Sequence, residues 1–401
     1  MRKEVEREAK KRICCLILIL IIGIVGGEKG VEASITRNTA ENTDMEIDQE
    51  IQQELDDMLA QYNFENVQDV LQDSDADWDF NEVIKELMEG NINGVISRLL
   101  EYGKKQLKKQ VSLDWDSMGQ VLVLGCMSAI LTCFAGIFAD NGMSDHAFYF
   151  IYMILLTVLL GAFYQMSNVV GQLLAYLVEF MQAVIPAYAL AIGAAGGSAS
   201  ALGYYEITLI VIQGIQVLYL RVLIPAIRIF VVLSVVQHLA KENYISKTIA
   251  CIQKAITWTI KTVIAFVFGI HIIQGMLLPS VDIMKNTTMY KAVSMIPGIG
   301  NTVGFSADLF LGTARLIKNS LGTGICIMLL LLCIAPVCKL ALTSLGYQLM
   351  QAVLQPICDG RMIQAMHGMT KGLQLLLYMT LSVVMLFLLS IAILCIATNI
   401  R

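Results

Sequence analysis

The chain has 401 residues, 56% of them hydrophobic and only 15% charged, with a mean hydropathy of +0.66, whereas soluble domains carry about 25% charged residues. This excludes an ordinary soluble enzyme, because the apolar residues fall in blocks of about 20, the length that crosses a bilayer. The formal net charge is −5, but residues 34–117 hold 20 acidic against 7 basic side chains and residues 118–401 hold 8 against 14. The acid is confined to one segment, and a basic nucleic-acid footprint is absent.

In chain order, the first segment is basic (Arg2, Lys3, Arg7, Lys10, Lys11, Arg12), followed by an apolar run from Ile13 to Val25 and the small residues Gly26, Gly27 and Ala33. That three-part layout predicts a signal peptide over 1–33, with an uncleaved anchor as the alternative. Either way, residues 34–117 are expected to be extracytoplasmic. From Asn38 to Asp79 the chain is too polar to offset its ordering entropy. Around Phe80 to Tyr102, Val83, Ile84, Leu87, Met88, Ile92, Val95, Ile96 and Leu99 have helical spacing. The stripe predicts partner docking, self-packing or a helix lying on the membrane surface. Lys104, Lys105, Lys108 and Lys109 then oppose an exported assignment, because basic residues flanking spans favour the cytoplasm.

Residues 118–401 read as an all-α, polytopic helical membrane domain of six or seven spans. Strong spans are predicted over Gly119–Ala139, Ala147–Met166, Ile207–Val236, Ala255–Leu278, Leu321–Leu342 and Leu373–Ile396. Val169–Ala195 is ambiguous, being apolar but interrupted by Gln172, Glu179, Gln182 and Pro186. Most cysteines lie inside these blocks, where they act as small packing residues rather than disulfide partners.

Four of the six prolines form two equally spaced pairs, Pro186 with Pro225 and Pro297 with Pro336, offset by 111 residues. At that offset Gly193 matches Gly304 and Arg228 matches Lys339. A tandem duplication is expected, with units at 147–254 and 258–365 and a final span at 373–396. Repeats commonly place sites where they meet. The two Pro-Gly stretches, Pro186 with Gly193 and Gly197, and Pro297 with Gly298, Gly300 and Gly304, are therefore candidate broken or re-entrant helices lining a pore. Pro225 and Pro336 are candidate kinks. Interface loops with GxxxG contacts at Gly193/Gly197 and Gly300/Gly304 are the alternative. Among ionisable groups, Glu179, Arg221, Lys261 and His271 lie deepest in the predicted spans and are candidate intramembrane charges. Arg221 must pair, face a cavity or sit where its segment breaks before Pro225, and Glu179 is its natural partner. Lys261 reads as a snorkelling lysine, and His271 as a packing histidine before a proton carrier.

Catalytic chemistry finds no support. The four histidines sit in no HExxH and beside no CxxC, no GxSxG occurs, and GxxxxGK[ST] is missing. No catalytic, metal or cofactor site is expected.

The layout of signal peptide, acidic segment and multi-span region, with Ser294-Met295-Ile296-Pro297-Gly298-Ile299-Gly300-Asn301-Thr302, Phe310-Leu311-Gly312 and Ile317-Lys318-Asn319-Ser320-Leu321-Gly322, resembles the stage III sporulation protein AE family. The resemblance runs from about Trp115 to the C-terminus and is sharpest between Pro279 and Gly324. It implies a membrane component of a sporulation channel complex, similar to specialised secretion systems, that connects mother cell and forespore. The implied location is the mother-cell membrane around the forespore. Its implied partners are the lipid bilayer and other membrane proteins of the complex, including a separate ATPase, with no nucleic acid. Two function classes stand at this point. One is a non-enzymatic subunit of that complex. The other is a stand-alone secondary transporter with a midplane site at the Pro-Gly helices.

Overall fold

The computed structural model describes residues 79–113, 141–195, 198–238, 245–294 and 300–397, with isolated helical residues between 119 and 130. Among these residues there are helices and no strands. The expected signal peptide and most of the acidic segment lie outside them, as do Gly197, Pro297 and Gly298.

Two short helices come first, α1 (Phe80–Met88) and α2 (Ile92–Leu113). Asp79 caps α1, its carboxylate accepting from Asn81 N–H at 2.8 Å. Phe80, Val83, Ile84 and Leu87 are buried, so the apolar stripe read from the sequence packs within the chain. Gly90, at φ +81°, makes the reversal into α2. Arg98 of α2 ties the two helices together through Glu86 and, at 3.8 Å, Glu82.

The membrane domain consists of five apolar runs. These are α3 (Asn141–Ala194), α4 (Ser198–Leu218) continuing through a π-turn (Tyr219–Leu223) into α5 (Ile224–Val236), α6 (Ser246–Ser294), α7 (Gly300–Leu354) and α8 (Gly360–Ala397). Each contains a stretch long and apolar enough to cross a membrane. They are apolar on nearly every side, as expected where hydrocarbon rather than water is the outer solvent. The span predicted at Gly119–Ala139 falls mostly outside the described residues. Within it, the Cys358 thiol donates to the Gly125 carbonyl at 3.3 Å, beside the turn between α7 and α8.

Two predicted segments, Ala147–Met166 and Val169–Ala195, are one continuous helix of 54 residues. The polar Ser167-Asn168 pair between them does not break it, and Arg228 of α5 satisfies both side chains: Nε donates to Ser167 Oγ at 2.7 Å and Nη2 to Asn168 Oδ1 at 2.8 Å. The Arg228 guanidinium also stacks 4.7 Å over the Tyr164 ring.

The runs alternate in direction. α3 and α4–α5 are antiparallel, with Tyr188 edge-on to Tyr204 at one end (centroids 6.1 Å apart) and Tyr152 Oη donating to the Val235 carbonyl at 2.7 Å at the other. α8 crosses α5 closely because Gly368 and Gly372 lie against Ser234 and Val231. These two glycines form the GxxxG contact of the described bundle, a different pair from those expected at Gly193/Gly197 and Gly300/Gly304. Small residues let helix backbones approach where lipid gives no hydrophobic driving force.

Candidate functional site

Depth within the bundle can be read from α7. Lys318 and Lys339 bound 20 consecutive uncharged residues, about 30 Å of helix and hence one hydrocarbon layer. At one edge, Cys395 lies 3.8 Å from Asn319 Oδ1 and within electrostatic reach of Lys318 and Tyr188, so residue 188 of α3 is level with Lys318. At the other, Thr343 Oγ1 donates to Met166 Sδ at 3.9 Å, which sets Lys339, one turn earlier, level with about residue 170. Residues 170–188 of α3, within an apolar stretch that runs from Tyr149 to Ala194, therefore lie beside the uncharged run of α7, with Glu179 at their centre.

Glu179 is exposed on α3, as are Gln165, Gln172 and Gln182. Successive offsets of seven, seven and three residues keep these four on one face of the helix. Arg221 is exposed as well, and the expected Glu179–Arg221 pair is absent: neither residue forms an ion pair among the described residues. Arg221 lies instead in the π-turn, one turn before Pro225. Proline has no N–H to return to the carbonyl four residues back, and the backbone widens so that Ile224 N–H bonds to the Tyr219 carbonyl.

His271 is buried at 2% exposure. Its Nδ1 lies 3.2 Å from Gln274 Oε1, its Nε2 2.6 Å from Ser390 Oγ, and Gln274 Nε2 donates to the Gly203 carbonyl at 3.4 Å. A neutral imidazole fits this chain when Nδ1–H donates to Gln274 Oε1 and the Ser390 hydroxyl donates to Nε2 rather than to its other acceptor, the Leu386 carbonyl at 2.8 Å. These bonds tie α6, α8 and α4 together. Lys261 is exposed on α6.

The first of the two expected broken helices differs from the structure, and Pro297 and Gly298 of the second lie outside the described residues. Pro186 lies inside the unbroken α3 and Pro336 inside the unbroken α7. Gly193 is helical near the end of α3, and Gly300 and Gly304 open α7. The end of α3 at Ala194 maps, at the 111-residue offset, onto Phe305 inside α7. Helix ends therefore do not follow the repeat.

Sequence reasoning missed Lys318, which is fully buried beside Cys395 and Tyr188. Its signal was its place at the first residue before an uncharged run, with nothing to mark it as inward-facing. The Tyr188 and Tyr204 hydroxyls and Thr208 Oγ1 are buried nearby without a well-formed hydrogen bond, although Cys395 stands beside Tyr188 and Thr208 beside Tyr204. Among the described residues no group of three His, Cys, Asp or Glu side chains is placed to hold a metal ion.

A second polar surface belongs to α1 and α2. Ile84 and Leu87 lie against Gly324 of α7, and Gly103 lies against Ile334, both within the uncharged 319–338 run. The opposite face of this hairpin holds a cleft of about 310 Å³ lined by Glu82, Arg98, Glu101 and Lys105 among others.

The family model described as stage III sporulation protein AE (spore_III_AE) matches residues 78–398. The chain belongs to the stage III sporulation protein AE family. Stage III sporulation protein AE of Bacillus subtilis (strain 168) is 23% identical over 295 residues, covering 72% of this chain and 73% of its own length. No solved structure matches. This member of the family is thus a helical membrane protein of sporulation, and the match covers all five of its apolar runs.

Proposed function

We propose that the chain is a non-enzymatic integral membrane subunit of a sporulation channel complex, secretion-like in kind, that connects mother cell and forespore. It would sit in the mother-cell membrane around the forespore, with the acidic segment before α1 extracytoplasmic and the α1–α2 hairpin, expected outside as part of 34–117, laid against α7 instead. Its partners would be other membrane proteins of that complex, a separate ATPase among them. The observation that carries the reading is the exposed polar face of α3 at hydrocarbon depth, with Gln172, Glu179 and Gln182. A carboxylate there is costly against lipid and is tolerated beside water or a polar partner. The charged outer face of the α1–α2 hairpin, laid over the uncharged run of α7, supports the same reading. Against a stand-alone transporter with a midplane site at the Pro-Gly helices stands the unbroken course of α3 through Pro186, while Pro297 and Gly298 of the second stretch lie outside the described residues.

The test is affinity purification of the tagged full-length chain from membranes of sporulating cells. Other membrane proteins and an ATPase are expected to co-purify, and E179L is expected to reduce their recovery while the chain remains folded. A chain that purifies alone and by itself drives solute uptake into liposomes would overturn the reading.

A further inference from the structure

Four basic residues on three runs of helix come to one level of the bundle. Arg228 of α5 bonds to Ser167 and Asn168 of α3. Lys339 of α7 is level with about residue 170 of α3, through the Thr343 to Met166 contact one turn on. Arg221 lies three residues before Ile224, whose Cδ1 would stand 3.8 Å from a Cβ on Gly171. Lys261 of α6 is placed by two bonds to α8, His271 to Ser390 and Tyr219 to Ser382 (3.1 Å). Eight residues separate the two serines, so residue 263, eight before His271, is level with Tyr219, and Lys261 with Arg221. The four groups thus occupy a layer about 10 Å deep, within the reach of long side chains that keep an aliphatic stem in hydrocarbon and a charge in the headgroups.

Independent support comes from the outer face of α6. Ile249, Ile256, Ile260 and Val267 are buried, and Lys247, Lys254, Trp258 and Lys261 are exposed on the opposite side, Trp258 at 70%. Beyond Lys261 the same face continues as Phe268, Ile272 and Met276, all exposed and apolar. A helix face that changes from lysines to hydrocarbon side chains at an exposed tryptophan marks a membrane–water interface. Tyr164, 54% exposed under the Arg228 guanidinium, adds a second aromatic residue at this level. None of Arg221, Lys261 or Lys339 is held by a carboxylate among the described residues.

We propose that Arg221, Arg228, Lys261 and Lys339 form a basic girdle that binds phosphate groups of anionic phospholipids in the cytoplasmic leaflet and so fixes the bundle's depth in the bilayer. Arg228 spends Nε and one Nη2 hydrogen on α3 and keeps further donors for a lipid phosphate. The leaflet follows from charge bias, since Lys247, Lys254, Arg361 and Lys371 all lie at or beyond the girdle, and Lys/Arg-rich ends face the cytoplasm. Each basic residue near an anionic surface contributes about 1 kcal/mol, which converts to about fivefold in lipid retention.

The experiment uses the full-length chain in nanodiscs of phosphatidylcholine with and without phosphatidylglycerol, reading retained lipid by native mass spectrometry. The wild type is expected to retain phosphatidylglycerol in preference to phosphatidylcholine. R221Q/K261Q/K339Q is expected to lose that preference by more than tenfold, and R221K/K261R/K339R to keep it. Equal retention by the glutamine variant, or no preference in the wild type, overturns the proposal. So does a phosphatidylglycerol-independent wild type whose glutamine variant loses protein partners, since the girdle would then meet a partner's carboxylates. Should the glutamine variant fail to fold, a chain with Trp258 as its sole tryptophan still decides. Its fluorescence is expected to be quenched most by lipids brominated near the glycerol end of the acyl chain, and maximal quenching at the chain centre refutes the assignment.

Discussion

Gly372 shows how little room the bundle leaves at a single residue. A Cβ there would overlap Val231 Cγ2 and come within 3.0 Å of Phe163 Cε2, and a branched valine cannot rotate away without losing its own packing. Overpacking of this kind costs about 1 to 3 kcal/mol. G372A is therefore expected to lower the thermal unfolding midpoint in detergent clearly, whereas G269A, with open space around its Cβ, is expected to leave it nearly unchanged. His271 makes the opposite kind of contact. H271L removes the partner of two buried polar groups, Gln274 and Ser390, at a cost of about 1 to 3 kcal/mol, and H271L/S390A should recover part of it. A third expectation concerns Glu179 and Arg221. With no ion pair joining them, the charge-swapped double variant E179R/R221E should do no better than the two single changes combine to predict, measured by unfolding and by partner recovery. A clear rescue would re-establish the pair.

Among the elements, α3 and the α1–α2 hairpin depart furthest from a hydropathy reading. A window over residues 149–194 sees two apolar blocks with a polar gap, yet the gap is helical, and a donor-rich side chain arrives from α5 to satisfy it. No local pattern announces Arg228 as that donor, since it is 60 residues away along the chain. For the hairpin, helical spacing identified the apolar face, but three partners were open and the contact with Gly324 and Ile334 selects self-packing. Placing aspartates at Ile84 and Leu87 would bury two carboxylates against α7 without partners. I84D/L87D is thus expected to free the hairpin and to speed tryptic cleavage at Lys104 and Lys105 several-fold, with slower global unfolding kinetics unchanged. Cleavage at the wild-type rate would show that the hairpin is not held by this face.

At the scale of the whole molecule, the alternation of α3, α4–α5, α6, α7 and α8 puts the turn at 355–359, the start of α6 and the basic girdle at one end, and the end of α3 with the start of α7 at the other. Cys251 is exposed at the basic end, and position 301 is at the opposite one. In a background with other cysteines removed, a membrane-impermeant maleimide is expected to reach Cys251 only after the cytoplasmic face is opened, and a cysteine at position 301 from outside without opening. The reverse pattern would invert the bundle in the bilayer.

The sequence alone determined the helical membrane class, the family and the identity of the deep charges, because hydrocarbon imposes length and composition on every segment it surrounds. It did not determine which charges meet, where helices end or which glycines touch. Pro186 looks like a break and is not, and Glu179 looks like a partner for Arg221 and forms no ion pair with it. The GxxxG contact that closes the bundle is at Gly368 and Gly372. Those outcomes depend on neighbours far away in the chain that accept a donor or leave space for a backbone, and only the assembled bundle brings them within reach.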